Sequence, residues 1–205
     1  MAAVPSIPPL AEPDEQRVVL YGVSWDQYVQ ISEMFNDRPA LRLTFLEGAL
    51  EIMTTGGTHE ELKTRIARLI ETWSEIYGVD LRGWGSTTFR KAAKQRGLEP
   101  DECYCLGDRP RVDEPQVIDR PDIALEVIVS SPLVDKLRVY AGLGVPEVWT
   151  FANGAFRVHI LVDDRYRESE RSELLPALDF SMIAELTSEP KQLDAIRTLR
   201  ARLAR

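Results

Sequence analysis

The sequence predicts a mixed α/β domain built round a central sheet, and three stretches carry that expectation. Ile123–Val129 (IALEVIV) is almost wholly apolar, as in a strand buried on both faces of a sheet. Upstream, Leu62, Ile66, Leu69, Ile70, Trp73 and Ile76 keep the spacing of an amphipathic helix. The middle of the chain then orders as helix, strand, strand, strand, helix, strand, a pattern that layers helices against a sheet. With 205 residues there is material for one substantial domain and little for two.

Each element follows from a local pattern. Residues 1 to about 16 hold prolines at 5, 8, 9 and 13 without periodicity and are expected to form a flexible tail, leaving 17–205 as one domain. Ser24 and Gln27 form a capping-box pattern opening a helix with Tyr28, Ile31, Met34 and Phe35 on one side. Leu41–Leu46 and Ala49–Met53 flank a Glu47-Gly48 turn and predict a hairpin. Thr58 and Glu61 offer a second capping box for the amphipathic helix, which Gly78 would stop. Three strands are then expected, at Gly85–Lys91, Asp101–Leu106 and Ile123–Val129. A shorter helix would use Ser131 as cap, Pro132 in its first turn and Gly144 near its end. Glu147–Phe151 and Phe156–Val162 flank Asn153-Gly154, a strong hairpin signal. Leu193, Ile196, Leu199 and Leu203 mark a C-terminal amphipathic helix over about 190–205. No internal repeat or composition shift divides the chain.

Composition narrows the function classes. Hydrophobic residues at 44% and charged residues at 28% are ordinary for a globular domain. No apolar run approaches the roughly 20 residues that cross a bilayer. The start, MAAVPSIPPLAEPDEQ, lacks the basic opening and apolar core of a signal peptide. Cys103 and Cys105 stand too close for a disulfide framework, so a reducing cytoplasm is the expected location. The net charge of −8 repels nucleic acid from the molecule as a whole. Any nucleic-acid activity must therefore rest on a local site, a bound cation or a basic patch.

One anomaly points to chemistry. Glu126 lies in the middle of the most apolar strand, and a buried carboxylate there needs a cation, a set of hydrogen bonds or a proton. Asp122, four residues earlier, shares its strand face. Asp101 opens the preceding strand, so pairing of the two strands would bring Asp101 and Glu126 together at one end of the sheet. Two such carboxylates suit one or two divalent cations, with Mg²⁺ the default for a hard oxygen set and Mn²⁺ an alternative. Lys136 lies on the edge of the inward stripe formed by Leu133, Leu137, Tyr140 and Ala141. From there it is placed to lean toward the carboxylates and to orient a water or offset phosphate charge.

These runs also carry a resemblance. GSTTFR (85–90), LEPDECY (98–104), RPDIALEV (120–127), SSPLVDK (130–136) and YAGLGVPEVW (140–149), after the helix THEELKTRIARLIE, resemble the bacterial Uma-type family of putative restriction endonucleases. That family lies within the PD-(D/E)XK nuclease superfamily. The resemblance spans roughly 44–152 and implies a restriction-endonuclease-like core, here with an added N-terminal hairpin and C-terminal helix. It also implies a Mg²⁺-dependent phosphodiesterase site, with Asp101 as the motif aspartate and Glu126 as the motif acid. The sequence departs from the motif in one place: the lysine expected two residues after the acid is Ile128. Lys136, from the next helix, is the candidate replacement. Related nucleases sometimes use an acid on the first helix as an extra ligand, which makes Glu60 a candidate. They also often cut with two protomers, which makes a homodimer an expectation.

Plainer readings stand beside each of these. Asp101 could end a turn after Pro100, Glu126 could pair with Arg90, and Lys136 could extend to solvent. For Asp122 the favoured reading is a strand cap. His59 could face the site, although a hydrogen-bonded structural histidine is favoured. Glu60 fits a helix N-terminus by its charge alone. Cys103 and Cys105 share a strand face, yet zinc wants four ligands and buried thiols are favoured. Arg90, Lys91, Lys94 and Arg96 form the only dense basic run, whose usual fate is a solvated loop. Two functions follow: an endonuclease acting on nucleic acid, most simply DNA, or a catalytically silent module of the same fold serving in binding or assembly. A small-molecule hydrolase using the same carboxylates is a distant third.

Overall fold

The computed structural model describes residues 15–35, 38, 40–107 and 120–204. Of the expected N-terminal tail, residues 1–14 lie outside the described residues. Gln16 already opens the first strand, β1 (Gln16–Tyr21). After it come α1 (Trp25–Phe35), β2 (Leu41–Leu46), β3 (Ala49–Thr54) and the long helix α2 (Gly57–Tyr77). Three short strands follow, β4 (Leu81–Gly83), β5 (Phe89–Lys91) and β6 (Arg96–Leu98), and then β7 (Glu102–Leu106) and β8 (Ile123–Ile128). The chain continues through α3 (Lys136–Leu143), β9 (Glu147–Ala152), β10 (Ala155–Val162) and β11 (Arg165–Ser169). It closes with α4 (Phe180–Thr187) and α5 (Gln192–Leu203).

The strands form two sheets. One is antiparallel, in the order β1-β3-β2-β6-β5; the other runs β11-β10-β9-β8-β7-β4 and is mixed. In the mixed sheet β8 and β9 are parallel, joined by a crossover through α3, and the other strand pairings are antiparallel. Both expected hairpins form, because their turns are set locally. Glu47 and Gly48 have φ of 48° and 93°, and Asn153 and Gly154 have 52° and 76°, the two positive values that tight two-residue hairpins demand.

The packing separates two faces of the mixed sheet. Leu125 and Val127 of β8 meet Ile66, Ile70 and Trp73 of α2, in a core completed by Trp149, Phe180, Ile183 and Leu199. On the other face Ala124 and Val148 pack with Val139, Tyr140 and Leu143 of α3, and with Leu46, Phe89 and Leu98 of the antiparallel sheet. α3 is therefore wedged between the sheets. Against the antiparallel sheet, Tyr28 of α1 is buried and stacks on Phe45 of β2 at 4.8 Å and 8°. Gly97 passes close beneath it, where a Cβ would overlap the Tyr28 ring.

Several elements differ from expectation, each for a physical reason. The Ser24–Gln27 capping box forms with both arms, 2.8 and 3.2 Å, but Met34 is exposed rather than inward. Six residues on from Tyr28, it lies roughly 120° round the helix. The second capping box does not form: α2 begins at Gly57 after Gly56, so Thr58 already sits inside the first turn, and Glu61 instead pairs with Arg65 at 2.9 Å. The expected strand over 85–91 is strand only at Phe89–Lys91, which pairs with β6 across a 3-10 turn, Ala92–Lys94. α3 starts at Lys136, with Asp135 as N-cap accepting from the Arg138 amide, and not at Ser131-Pro132. The Leu133 and Val134 amides are held by the Glu51 carboxylate, which keeps those residues out of the helix. α2 and α3 do end at Gly78 and Gly144 as expected. Among the described residues no helix is long and apolar enough to cross a membrane.

Candidate active site

The register of β7 against β8 pairs Glu102 with Leu125, so Asp101, one residue before β7, comes level with Glu126. Both are buried, at 1% and 2% exposure. Asp101 Oδ2 accepts the Val127 amide at 2.7 Å and lies 3.0 Å from His59 Nε2. Its Oδ1 is buried with no hydrogen-bond partner. Glu126 Oε2 accepts from Lys136 Nζ at 2.5 Å, and Oε1 accepts from the Tyr140 hydroxyl. Lys136 thus reaches Glu126 from the first turn of α3, and neither extends to solvent nor leaves Arg90 to fill that role. Among the sequence candidates, the structure brings Asp101, Glu126, Lys136 and His59 together.

The charges in this cluster settle one another. Burial acts to raise Asp101, but the His59 hydrogen bond, the Lys136 charge and the Val127 amide outweigh it and hold its carboxyl below the ordinary value. Glu126 goes the other way: burial and the Asp101 charge raise it against the pull of Lys136 and Tyr140. Burial acts to lower Lys136, yet Glu126 and Asp101 hold its ammonium above the ordinary value. His59 is likewise raised, with Asp101, Glu15 and Glu60 overcoming burial. At neutral pH the site therefore holds an ionised Asp101 and a charged Lys136, and Glu126 is the first of the two carboxyls to take a proton as pH falls.

A supporting network lies behind this cluster, formed by residues the sequence reading did not single out. Arg17 donates to Glu51 Oε1 at 2.7 Å and to Ser130 Oγ at 2.8 Å. Glu51 Oε2 accepts the Leu133 and Val134 amides at 2.5 and 2.9 Å. Glu15 accepts the Ser130 amide at 3.0 Å, while its Oε1 has no hydrogen-bond partner and lies 4.0 Å from His59 Nε2. Glu51 carried a legible signal, an acid between Leu50 and Ile52, the same anomaly that exposed Glu126. In the sequence Tyr140 reads only as part of an apolar stripe, and Glu15 as part of the tail.

The remaining candidates lie elsewhere or serve other bonds. Asp122, four residues from Glu126 and so about 13 Å along β8, accepts the Leu106 amide at 2.8 Å and fastens β8 to β7. Glu60 is partly exposed and is held by Lys63 at 2.5 Å and Arg42 at 3.8 Å, although its carboxylate comes within 3.7 Å of His59 Nδ1. Cys103 and Cys105 are buried thiols that form no disulfide, and Cys103 Sγ donates to the Gly85 carbonyl at 3.2 Å. Of the basic run, Lys91, Lys94 and Arg96 line a surface groove with Arg138, and Arg96 and Arg138 share Glu47 at 2.6 and 3.2 Å. Beside Glu126 a cavity of about 730 Å³ is lined by Glu126, Lys136, Tyr140, Thr150, Arg157 and His159.

Among the described residues no set of three or more His, Cys, Asp and Glu side chains is arranged to hold a metal. A hard cation would rest on Asp101 and Glu126, with the rest of its shell from backbone and water oxygens. The bare Asp101 Oδ1 fits that use, and the Glu126 oxygens each keep a second lone pair beside their present donors.

Comparison with known proteins identifies the family of the chain. A search of curated proteins gives no match. The model of the family named Uma2, described as putative restriction endonuclease, matches residues 25–190 and so contains Asp101, Glu126 and Lys136. That span is well over half of the chain, which belongs to the Uma2 family and carries its nuclease-like fold.

Proposed function

We propose that this protein is a Mg²⁺-dependent endonuclease that hydrolyses phosphodiester bonds of nucleic acid, with Asp101 and Glu126 as metal ligands and Lys136 as the cationic catalytic residue. The observation that carries this reading is the bare Oδ1 of Asp101. It is a buried anionic oxygen without a donor, level with a second carboxylate and next to a lysine. Such an oxygen is costly unless something positive fills its position. A divalent cation there would supply Lewis-acid stabilisation of the phosphoryl group.

The chain's own groups have distinct tasks. Asp101 stays ionised because His59 and the Val127 amide hold its other oxygen. Lys136 stays protonated through neutral pH, so it acts as a fixed positive charge on the phosphate and as a donor that orients water, and not as a general base. Tyr140 keeps its proton and fixes the Glu126 carboxylate by donating to it. DNA is the proposed substrate, the cytoplasm the proposed location and a homodimer the proposed assembly for cutting both strands.

A second reading is favoured by a specific observation. Glu126 already has Lys136, and Asp101 already has His59, so internal ion pairs supply much of the charge that a metal would offset. A silent module used for binding would look like this. Calorimetric titration of Mg²⁺ or Mn²⁺ into wild type, Asp101→Asn and Glu126→Gln separates the two. The nuclease reading expects binding by the wild type that both variants lose, together with loss of cleavage. An absence of binding at millimolar metal, or cleavage by both variants at the wild-type rate, would sink it.

A further inference from the structure

We infer that the cavity beside Lys136 receives one unpaired nucleotide of the substrate strand, with Arg157 holding its phosphate. This rests on the nuclease reading and specifies the form of substrate that the site takes.

Three observations carry it. First, the cavity is continuous with the site, since Glu126, Lys136 and Tyr140 are among the residues that line it. Its volume of about 730 Å³ lies within the range of pockets that enclose small ligands. Second, its lining suits a base. Ile128, Pro132, Leu133, Val148 and Ala155 give apolar surface, broken by the Thr150 hydroxyl and the His159 ring, 3.1 Å apart. Third, the sheet register sets Glu126, Thr150 and Arg157 side by side across β8, β9 and β10. Arg157 therefore stands two strands from the carboxylates, about 10 Å away, on the same sheet face.

The charges single out Arg157. Lys136 is engaged by Glu126, and Asp135, also on the rim, caps α3 through the Arg138 amide. Arg157 has no carboxylate partner among the described residues and is exposed at the cavity mouth. An exposed guanidinium without a carboxylate, beside a site proposed for a phosphodiester, is available to donate hydrogen bonds to a phosphate. With a net charge of −8 the molecule as a whole repels the dense charge of a duplex. A base paired and stacked within a helix cannot enter such a pocket, whereas an unpaired one can, and its apolar face gains from the lining.

The test measures binding of a fluorescent single-stranded 12-mer and of the same sequence as a duplex to the full chain by anisotropy, in EDTA to prevent cleavage. Wild type, Arg157→Ala and Ala155→Phe are compared; Ala155→Phe fills the cavity from an exposed position. The expected result is a preference of the wild type for the single strand, with a loss on the order of tenfold in each variant. Arg157→Ala should also flatten the salt dependence by roughly one phosphate contact. Equal single-strand affinity in all three proteins, or tighter binding of the duplex, overturns the inference. Cleavage of duplex DNA by the wild type that Arg157→Ala leaves unchanged overturns it while the nuclease reading stands. Binding of neither nucleic acid overturns both.

Discussion

Glu126 is a carboxylate held among apolar side chains, and Lys136 is its counter-charge. Replacing Lys136 by methionine keeps the stem and removes the ammonium, leaving Glu126 buried with Tyr140 as its one donor. Loss of one partner of a buried pair costs about 3–5 kcal/mol. The cost should depend on pH, with a definite sign. The Glu126 carboxyl is already raised in the folded protein and would rise further without Lys136. A raised carboxyl favours the folded state below its unfolded value of about 4.3, and that benefit is lost as pH rises through the folded value. The Lys136→Met penalty should therefore be small near pH 4–5 and largest toward pH 8, and Lys136→Met with Glu126→Gln should recover most of it. Urea denaturation across that range checks this, and a penalty independent of pH would show that the pair is not coupled. Asp101 and Glu126 were legible from the sequence because an acid next to an apolar strand demands a partner. The identity of the partners was less so, since His59 and Tyr140 reach the site by tertiary packing that no spacing rule contains.

Elements with local chemistry were the legible ones. Two-residue turns with positive φ, glycine stops and the Ser24–Gln27 box act within a few residues, and each formed as read. Strands of three residues, such as β4 and β6, have no room to show a period, and their place is set by their partners. α3 illustrates the contest between local and distant signals. Ser131-Pro132 has the composition of a helix start, but Glu51 of β3 captures the amides of Leu133 and Val134, so the helix opens at Asp135 instead. Asp135→Ala should therefore cost about 0.5–2 kcal/mol, the range for a lost N-cap. Ser131→Ala, outside the helix, should stay within about 0.5 kcal/mol. Thermal melts of the two variants decide it, and equal losses would show that the helix start is not at Asp135. The consequence reaches the site, since Lys136 is the residue next to that cap.

At the scale of the whole molecule, two sheets must be kept in one arrangement for Lys136 to meet Glu126. α3 fills the apolar space between them, drawing Leu46, Phe89 and Leu98 from one sheet and Ala124 and Val148 from the other. That packing is non-directional and tolerates small shifts. Direction comes from Glu51, whose carboxylate ties Arg17 of β1 to the segment that leads from β8 into α3. Glu51 is buried, so its bonds are screened little by salt. Glu51→Ala would leave two amides without acceptors and Arg17 with Glu15 as its remaining acidic partner, a loss of about 3–5 kcal/mol for a broken buried pair. Glu51→Gln should lose less, because its amide oxygen can still accept one of the two amides. Hydrogen exchange at Leu133 and Val134 is the more telling measurement. It should quicken markedly in Glu51→Ala while the amides of β9 and β10 stay protected, placing the loosening at the segment that positions Lys136. Unchanged exchange at those two amides would mean that apolar packing of α3 alone holds the sheets and Lys136 in register.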